Sequence, residues 1–197
     1  MQISRKEETE DYVRHECGHW LLAKILGFPT EEIRLQEEKA YSALKVFPVI
    51  KDLGDMREFI ERRVIVLYGG AIAQSMRGRK MMNEITHEFI RTTASDDKSK
   101  LDQLIRMHAA TAWDGSDKDH YEKVSSEIES RLYNEAASLL ENNADVLHGL
   151  TKHFMKLYKK AGKPKDFQCS NEELGQFEPL QTLTLGRLPA DDVPTKE

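Results

Sequence analysis

The chain has 197 residues, 39% of them hydrophobic and 32% charged, with 29 Lys and Arg against 34 Asp and Glu and a net charge of −5. That length and balance predict one core-forming domain under a well-solvated surface, and the acidic excess argues against a generic nucleic-acid binder. No apolar run reaches the roughly 18 residues that a membrane-spanning helix needs, so no membrane span is expected. The charged start MQISRKEETEDYVRHE has no apolar signal core. Cys17 and Cys169 lie far apart and form no CxxC pair. Together these features predict free thiols in a reducing, cytoplasmic compartment.

In chain order, residues 7–26 contain no Pro and a single Gly, with Tyr12, Trp20, Leu22 and Ile25 at roughly helical spacing before Gly27 and Pro29. This predicts a helix and its stop. Ile33 and Leu35, then Leu44 and Val46, alternate with polar neighbours and predict two short strands, read either as an ordinary hairpin or as an edge strand beside a cleft. Helical periodicity resumes at 55–76, 80–91 and 95–112, breaks at the turn WDGSDKD over 113–119, and returns at 120–141 and 143–160. Gly162 and Pro164 end the last helix. Pro179, Pro189 and Pro194 interrupt the C-terminal stretch, so 178–197 reads as a flexible or partner-dependent tail.

His15, Glu16, Cys17, Gly18 and His19 spell HExxH inside the first predicted helix. The i, i+4 spacing puts both imidazoles on one face, where they can hold one metal ion. Glu16 projects beside them, placed to take a proton from an attacking water and pass it to a leaving amine. The alternative is a helix face carrying two solvated histidines. A catalytic zinc usually has three protein ligands. The metzincin extension fails, because Leu22 stands at its Gly position and Ile25 at its last His. Glu37 and Glu38 sit in a strand-like segment that fits a third ligand badly. Glu58 and Glu61 lie on a helix and stay open by spacing. Asp96 and Asp97 in TTASDD stand at a predicted helix start, where first-turn backbone donors would keep a carboxylate ionised, or where it could simply cap the helix. Cys17 points to a different helix face from the histidines and reads as a small packing residue. His87 and Glu88 form a second HE pair, but Arg91 replaces the second His. His108, His120, His148 and His153 lack ligand spacing.

HECGHWLLAKILG, RRVIVLYGGAIAQSM and TTASDDKSKLDQLIRM together resemble the peptidase domain of the FtsH family, membrane-anchored AAA zinc proteases of bacteria and organelles. The resemblance covers roughly residues 8–177. It implies a mainly α fold, a helical zinc-peptidase domain over 1–177 with a small β-hairpin or short sheet near the active-site helix. It implies Zn2+ held by His15, His19 and Asp97, with Glu16 as general base and acid. Tyr68, Gly69, Gly70, Ala71, Ile72 and Ala73 match the family's double-glycine helix, where a neighbour must approach the backbone closely. The departures are also specific. No GxxxxGK[ST] phosphate loop exists, so no ATPase is encoded here, and the acidic residue of the family's Arg-Ala-Ala-Glu is Gln74.

The resulting expectation is a zinc-dependent metalloendopeptidase that cuts unfolded or flexible polypeptides without ATP in the same chain. A homo-oligomer and a separate ATPase partner both stay open. The alternative is a non-catalytic peptidase-like binding or adaptor protein that uses the edge strand or the tail.

Overall fold

The computed structural model describes residues 5–36, 39–44, 49–92, 94–115 and 117–183. The expected mainly α architecture with a short sheet is present. In chain order the elements are α1 (Arg5–Ile25), β1 (Thr30–Gln36), β2 (Lys39–Leu44), α2 (Leu53–Ser75), α3 (Asn83–Thr92), α4 (Ser95–Ala112), α5 (Lys118–Asn142), α6 (Ala144–Lys160), β3 (Asp166–Cys169) and α7 (Asn171–Gly175), then a 3₁₀ turn over Glu178–Thr182. No helix among the described residues is long and apolar enough to cross a membrane.

The helix α2 is the centre of the molecule. Asp52 caps it by accepting from the Asp55 N–H at 2.9 Å. Every residue from Val64 to Ser75 is buried, because α1, α3, α4 and α5 all pack around it. A helix surrounded on all sides cannot show an amphipathic stripe, and VIVLYGGAIA is correspondingly apolar throughout. The two glycines inside it cost helix propensity, about 1 kcal/mol each against Ala. They are explained by close approach: a Cβ on Gly18 of α1 would collide with the Gly69 carbonyl and lie 2.6 Å from Ala73 Cβ. The helices α1 and α2 therefore touch backbone to backbone.

The end of α1 is a glycine cap. Gly27 adopts a positive φ of 79°, and the Phe28 N–H reaches the Ala23 carbonyl at 2.9 Å, the pairing that closes a helix with a left-handed residue. The Trp20 indole N–H then donates to the Glu31 carbonyl, tying the helix to β1.

The sheet is antiparallel, in the order β2-β1-β3. In β1, Ile33 and Leu35 are buried as the alternation requires. The second strand lies earlier than the sequence pattern predicts. It spans Lys39–Leu44, ending where the predicted 44–46 strand begins, and Val46 falls outside the described residues. The reason is local: Gln36 pairs directly with Lys39, so the second strand starts at once, and Ala40, Ser42 and Ala43 give a strand with little apolar signal. The third strand has no counterpart in the sequence prediction, and its partner β1 is about 130 residues away in sequence. The helix α7 is a further addition, although Ser170 and Glu173 form a complete capping box. The first part of the predicted tail is folded. Glu178–Thr182 forms its turn, and Leu180 and Leu183 pack against the core. Residues 184–197 lie outside the described residues.

Candidate metal centre

Three elements meet at one point. The helix α1 supplies His15, Glu16 and His19; α2 supplies Val66, Gly70 and Gln74; the first turn of α4 supplies Asp97. The His19 Nε2 atom lies 3.0 Å from His15 Nε2 and 3.0 Å from Asp97 Oδ2, and His15 Nε2 lies 3.2 Å from the same oxygen. Among the described residues these three side chains are the group able to hold a metal ion.

The other ring nitrogens explain why these three atoms converge. The Nδ1 of His19 is 2.7 Å from the Val66 carbonyl oxygen, which can only accept. His19 therefore carries its proton on Nδ1 and leaves Nε2 with a lone pair. The Nδ1 of His15 donates to Gln74 Oε1 at 3.1 Å in the same way. Two imidazole lone pairs and a carboxylate oxygen then face one another with no donor between them. Such a triad is repulsive without a positive charge at its centre. A proton can provide it: burial alone would lower the His19 pKa, but the hydrogen bond and charge of Asp97 lift it to about 9. Burial would likewise raise Asp97, but the two imidazoles hold it far below the usual carboxylate range. A metal ion provides the charge equally well. The donor spacings of 3.0–3.2 Å are close to the about 3.3 Å edge of a tetrahedron whose metal–nitrogen bonds are about 2.0–2.1 Å.

Gly70 completes the cradle. A Cβ there would sit within 2.5 Å of the Nε2 atoms of both histidines, so only hydrogen leaves the donors their room. The close packing expected of the double glycine thus divides into two tasks. Gly69 meets the backbone of Gly18, and Gly70 meets the imidazoles.

The remaining candidates sort clearly. Asp97, not Asp96, is the carboxylate in the cluster; Asp96 is 98% exposed and lies 3.8 Å from Lys100. Asp97 is not the helix cap, a position held by Ala94. Glu58 is paired with Arg62, and Glu61 with His108 and Arg131. Glu37 and Glu38 lie outside the described residues. Cys17 is a free, fully buried thiol that burial pushes up to about 12, which fits packing rather than ligation. His87 stacks on Tyr133, His148 faces the Gly78 carbonyl and His153 the Glu173 carbonyl.

A cleft of about 760 Å³ opens over the cluster. Glu16 and both histidines line it, as does every residue of β2 from Lys39 to Leu44. Among the described residues β2 pairs with β1 and lies at the edge of the sheet.

Gln74 is the residue of this candidate site that the sequence does not disclose, since it stands there only as a missing acid. Its place four residues after Gly70, one turn along the same face, is the available signal. Gln74→Leu is expected to leave the His15 Nδ1–H without an acceptor and weaken metal binding about 10–100-fold, as outer-shell losses do. Competition titration against a chromophoric chelator measures this, and Gln74→Glu should restore the acceptor and the affinity. No protein-family model matches the chain.

Proposed function

We propose that this chain is a zinc-dependent metalloendopeptidase acting on unfolded or flexible polypeptide segments, and that its zinc is held by His15, His19 and Asp97. The observation that carries the reading is the convergence of three lone-pair donors at 3.0–3.2 Å, with both Nδ1 atoms fixed from behind. Two imidazoles and one carboxylate leave a fourth position open, the donor set of catalytic rather than closed structural zinc. The resemblance of HECGH, YGG and TTASDD to FtsH-type peptidases supports the same assignment. The ion, when bound, polarises the scissile carbonyl and acidifies water.

The chain's own residues supply the rest. Glu16 lines the cleft beside the histidines and takes the proton of the attacking water on a carboxylate oxygen. It then returns that proton to the leaving amine nitrogen. Gln74 and the Val66 carbonyl hold the imidazoles in one tautomer and one orientation. The sheet edge at β2 can pair with an extended substrate backbone, which suits unfolded chain and excludes folded surfaces. These 197 residues contain no phosphate loop, so the cleavage step itself draws on no ATP bound to them.

The test is zinc content by elemental analysis on protein purified without a metal-binding tag, together with cleavage of a denatured polypeptide. The expected result is about one zinc per chain, activity lost on chelation and regained with zinc, and weakened retention in Asp97→Ala. No zinc in the unmodified chain overturns the peptidase reading and leaves a non-catalytic binding protein.

A further inference from the structure

We propose that Arg63 is a specificity residue of the same cleft, binding a carboxylate of the polypeptide substrate beside the metal centre. The substrate class rests on the peptidase reading; the placement of Arg63 does not. Positions 63, 67, 70 and 74 follow one another at i, i+4, i+7 and i+11 and so share one face of α2. Arg63, Leu67 and Gln74 line the cleft, and Gly70 backs the imidazoles. Seven residues at about 1.5 Å each put the Arg63 backbone about 10 Å along the helix from the metal cradle. That is within reach of a substrate residue a few positions from the scissile bond.

Charge accounting isolates this residue. Asp55 accepts from the Lys51 N–H, Arg57 is bonded to Thr111, Glu58 to Arg62, and Glu61 to His108 and Arg131. Arg63 makes no hydrogen bond or ion pair with a described residue. Asp97 is the charge it senses, at long range, and that carboxylate is already committed to two imidazoles. Arg63 is partly buried, and burial pulls its pKa below the usual arginine value. None of its nitrogens is a buried atom left without a partner, so the guanidinium opens to the cleft, pre-shaped to grip a carboxylate with two parallel N–H donors. The cleft carries three cations, Lys39, Arg63 and Lys100, against three carboxylates, Glu16, Asp96 and Asp97, but the pairing is uneven. Asp96 lies beside Lys100, Asp97 belongs to the metal cluster, and Lys39 lines the same cleft with no ion pair to a described residue. The anions that a polypeptide can bring are Asp and Glu side chains and its terminal carboxylate.

The experiment compares matched peptides on the zinc-loaded chain, Glu against Gln near the cut site and free C-terminus against amide. The carboxylate member of one pair should be preferred about tenfold or more in kcat/KM, through KM. Arg63→Gln should bring that ratio to about 1, Arg63→Lys should keep part of it, and Arg63→Glu should reverse it towards a Lys-bearing peptide. A response in the side-chain pair assigns an internal acidic residue; a response in the terminal pair assigns the chain end. Fluorescence anisotropy of the same peptides on Glu16→Gln protein, with and without Arg63→Gln, repeats the comparison without turnover. Cleavage with no carboxylate preference overturns the role of Arg63 and spares the peptidase reading. Carboxylate-dependent binding without zinc or cleavage does the reverse. Equal losses on both peptides together with lost zinc in Arg63→Gln, or no peptide bound at all, overturn the proposal.

Discussion

Glu16→Gln is expected to lower polypeptide cleavage by a factor of about 10² to 10⁴, the usual contribution of a positioned general base, with the zinc still bound. The two halves of this expectation have separate causes. Glu16 is not one of the three donor side chains, so replacing its carboxylate by an amide leaves His15, His19 and Asp97 in place. It does line the cleft on the same helix, and Gln has the same shape without the basic oxygen. Steady-state kinetics and zinc content, measured on one preparation, check both halves. A fall in kcat with little change in KM would place the loss at the proton transfer. Full activity in the variant would remove Glu16 from the mechanism. Lost zinc would instead make Glu16 part of the metal site.

Much of this site is local in sequence, which is why it is legible there. HExxH needs only a helix to bring two imidazoles to one face, and 7–26 carries clear helical punctuation, so α1 at Arg5–Ile25 lies close to expectation. The predicted helix 95–112 coincides with α4 to the residue, because Trp113 and the DGSD turn end it sharply. What the sequence hides depends on distant partners. β3 exists because it pairs with β1 from the far end of the chain, and four residues carry too little pattern to announce that. β2 lies earlier than its pattern suggests because small residues at 40, 42 and 43 hide its alternation. The choice of Asp97 over Asp96, Glu58 or Glu61 needs the approach of α4 to α1, which spacing alone cannot give. The resemblance points to Asp97, and the geometry brings the same residue to the histidines. Gln74 and Arg63 matter only once α2 has been set against α1 by Gly18 and Gly69. Before that, Gln74 is a missing acid and Arg63 carries no signal in the sequence.

Gly70→Ala is expected to abolish zinc binding while the metal-free protein still folds. In a helix interior the change gains about 1 kcal/mol of propensity, while overpacking costs about 1–3 kcal/mol and the anchor hydrogen bond that gives way about 0.5–1.5 kcal/mol, so the apo fold loses about 0.5–3.5 kcal/mol. The new methyl, however, falls within 2.5 Å of the Nε2 atoms of both His15 and His19. Those rings cannot yield without breaking their anchors, because their Nδ1 atoms are tied to Gln74 Oε1 and the Val66 carbonyl. One ring must release its anchor and turn into the cleft, and the three-donor cluster is then gone. Thermal melting with and without zinc reads this directly. In the unmodified chain, free zinc at a thousand times its Kd should stabilise by about 4 kcal/mol. That corresponds to a rise of about 8–16 °C in Tm for a protein of this size. In Gly70→Ala the metal-free melt should fall by about 1–14 °C and stay cooperative, and zinc should no longer move it. Gly18→Ala separates the two glycine functions. Its methyl meets the Gly69 carbonyl rather than an imidazole, so it should lower the melt itself, with or without metal. A Gly70→Ala protein that keeps its zinc-induced rise would show that the imidazoles can retreat from α2, and that the cradle is not what aims them.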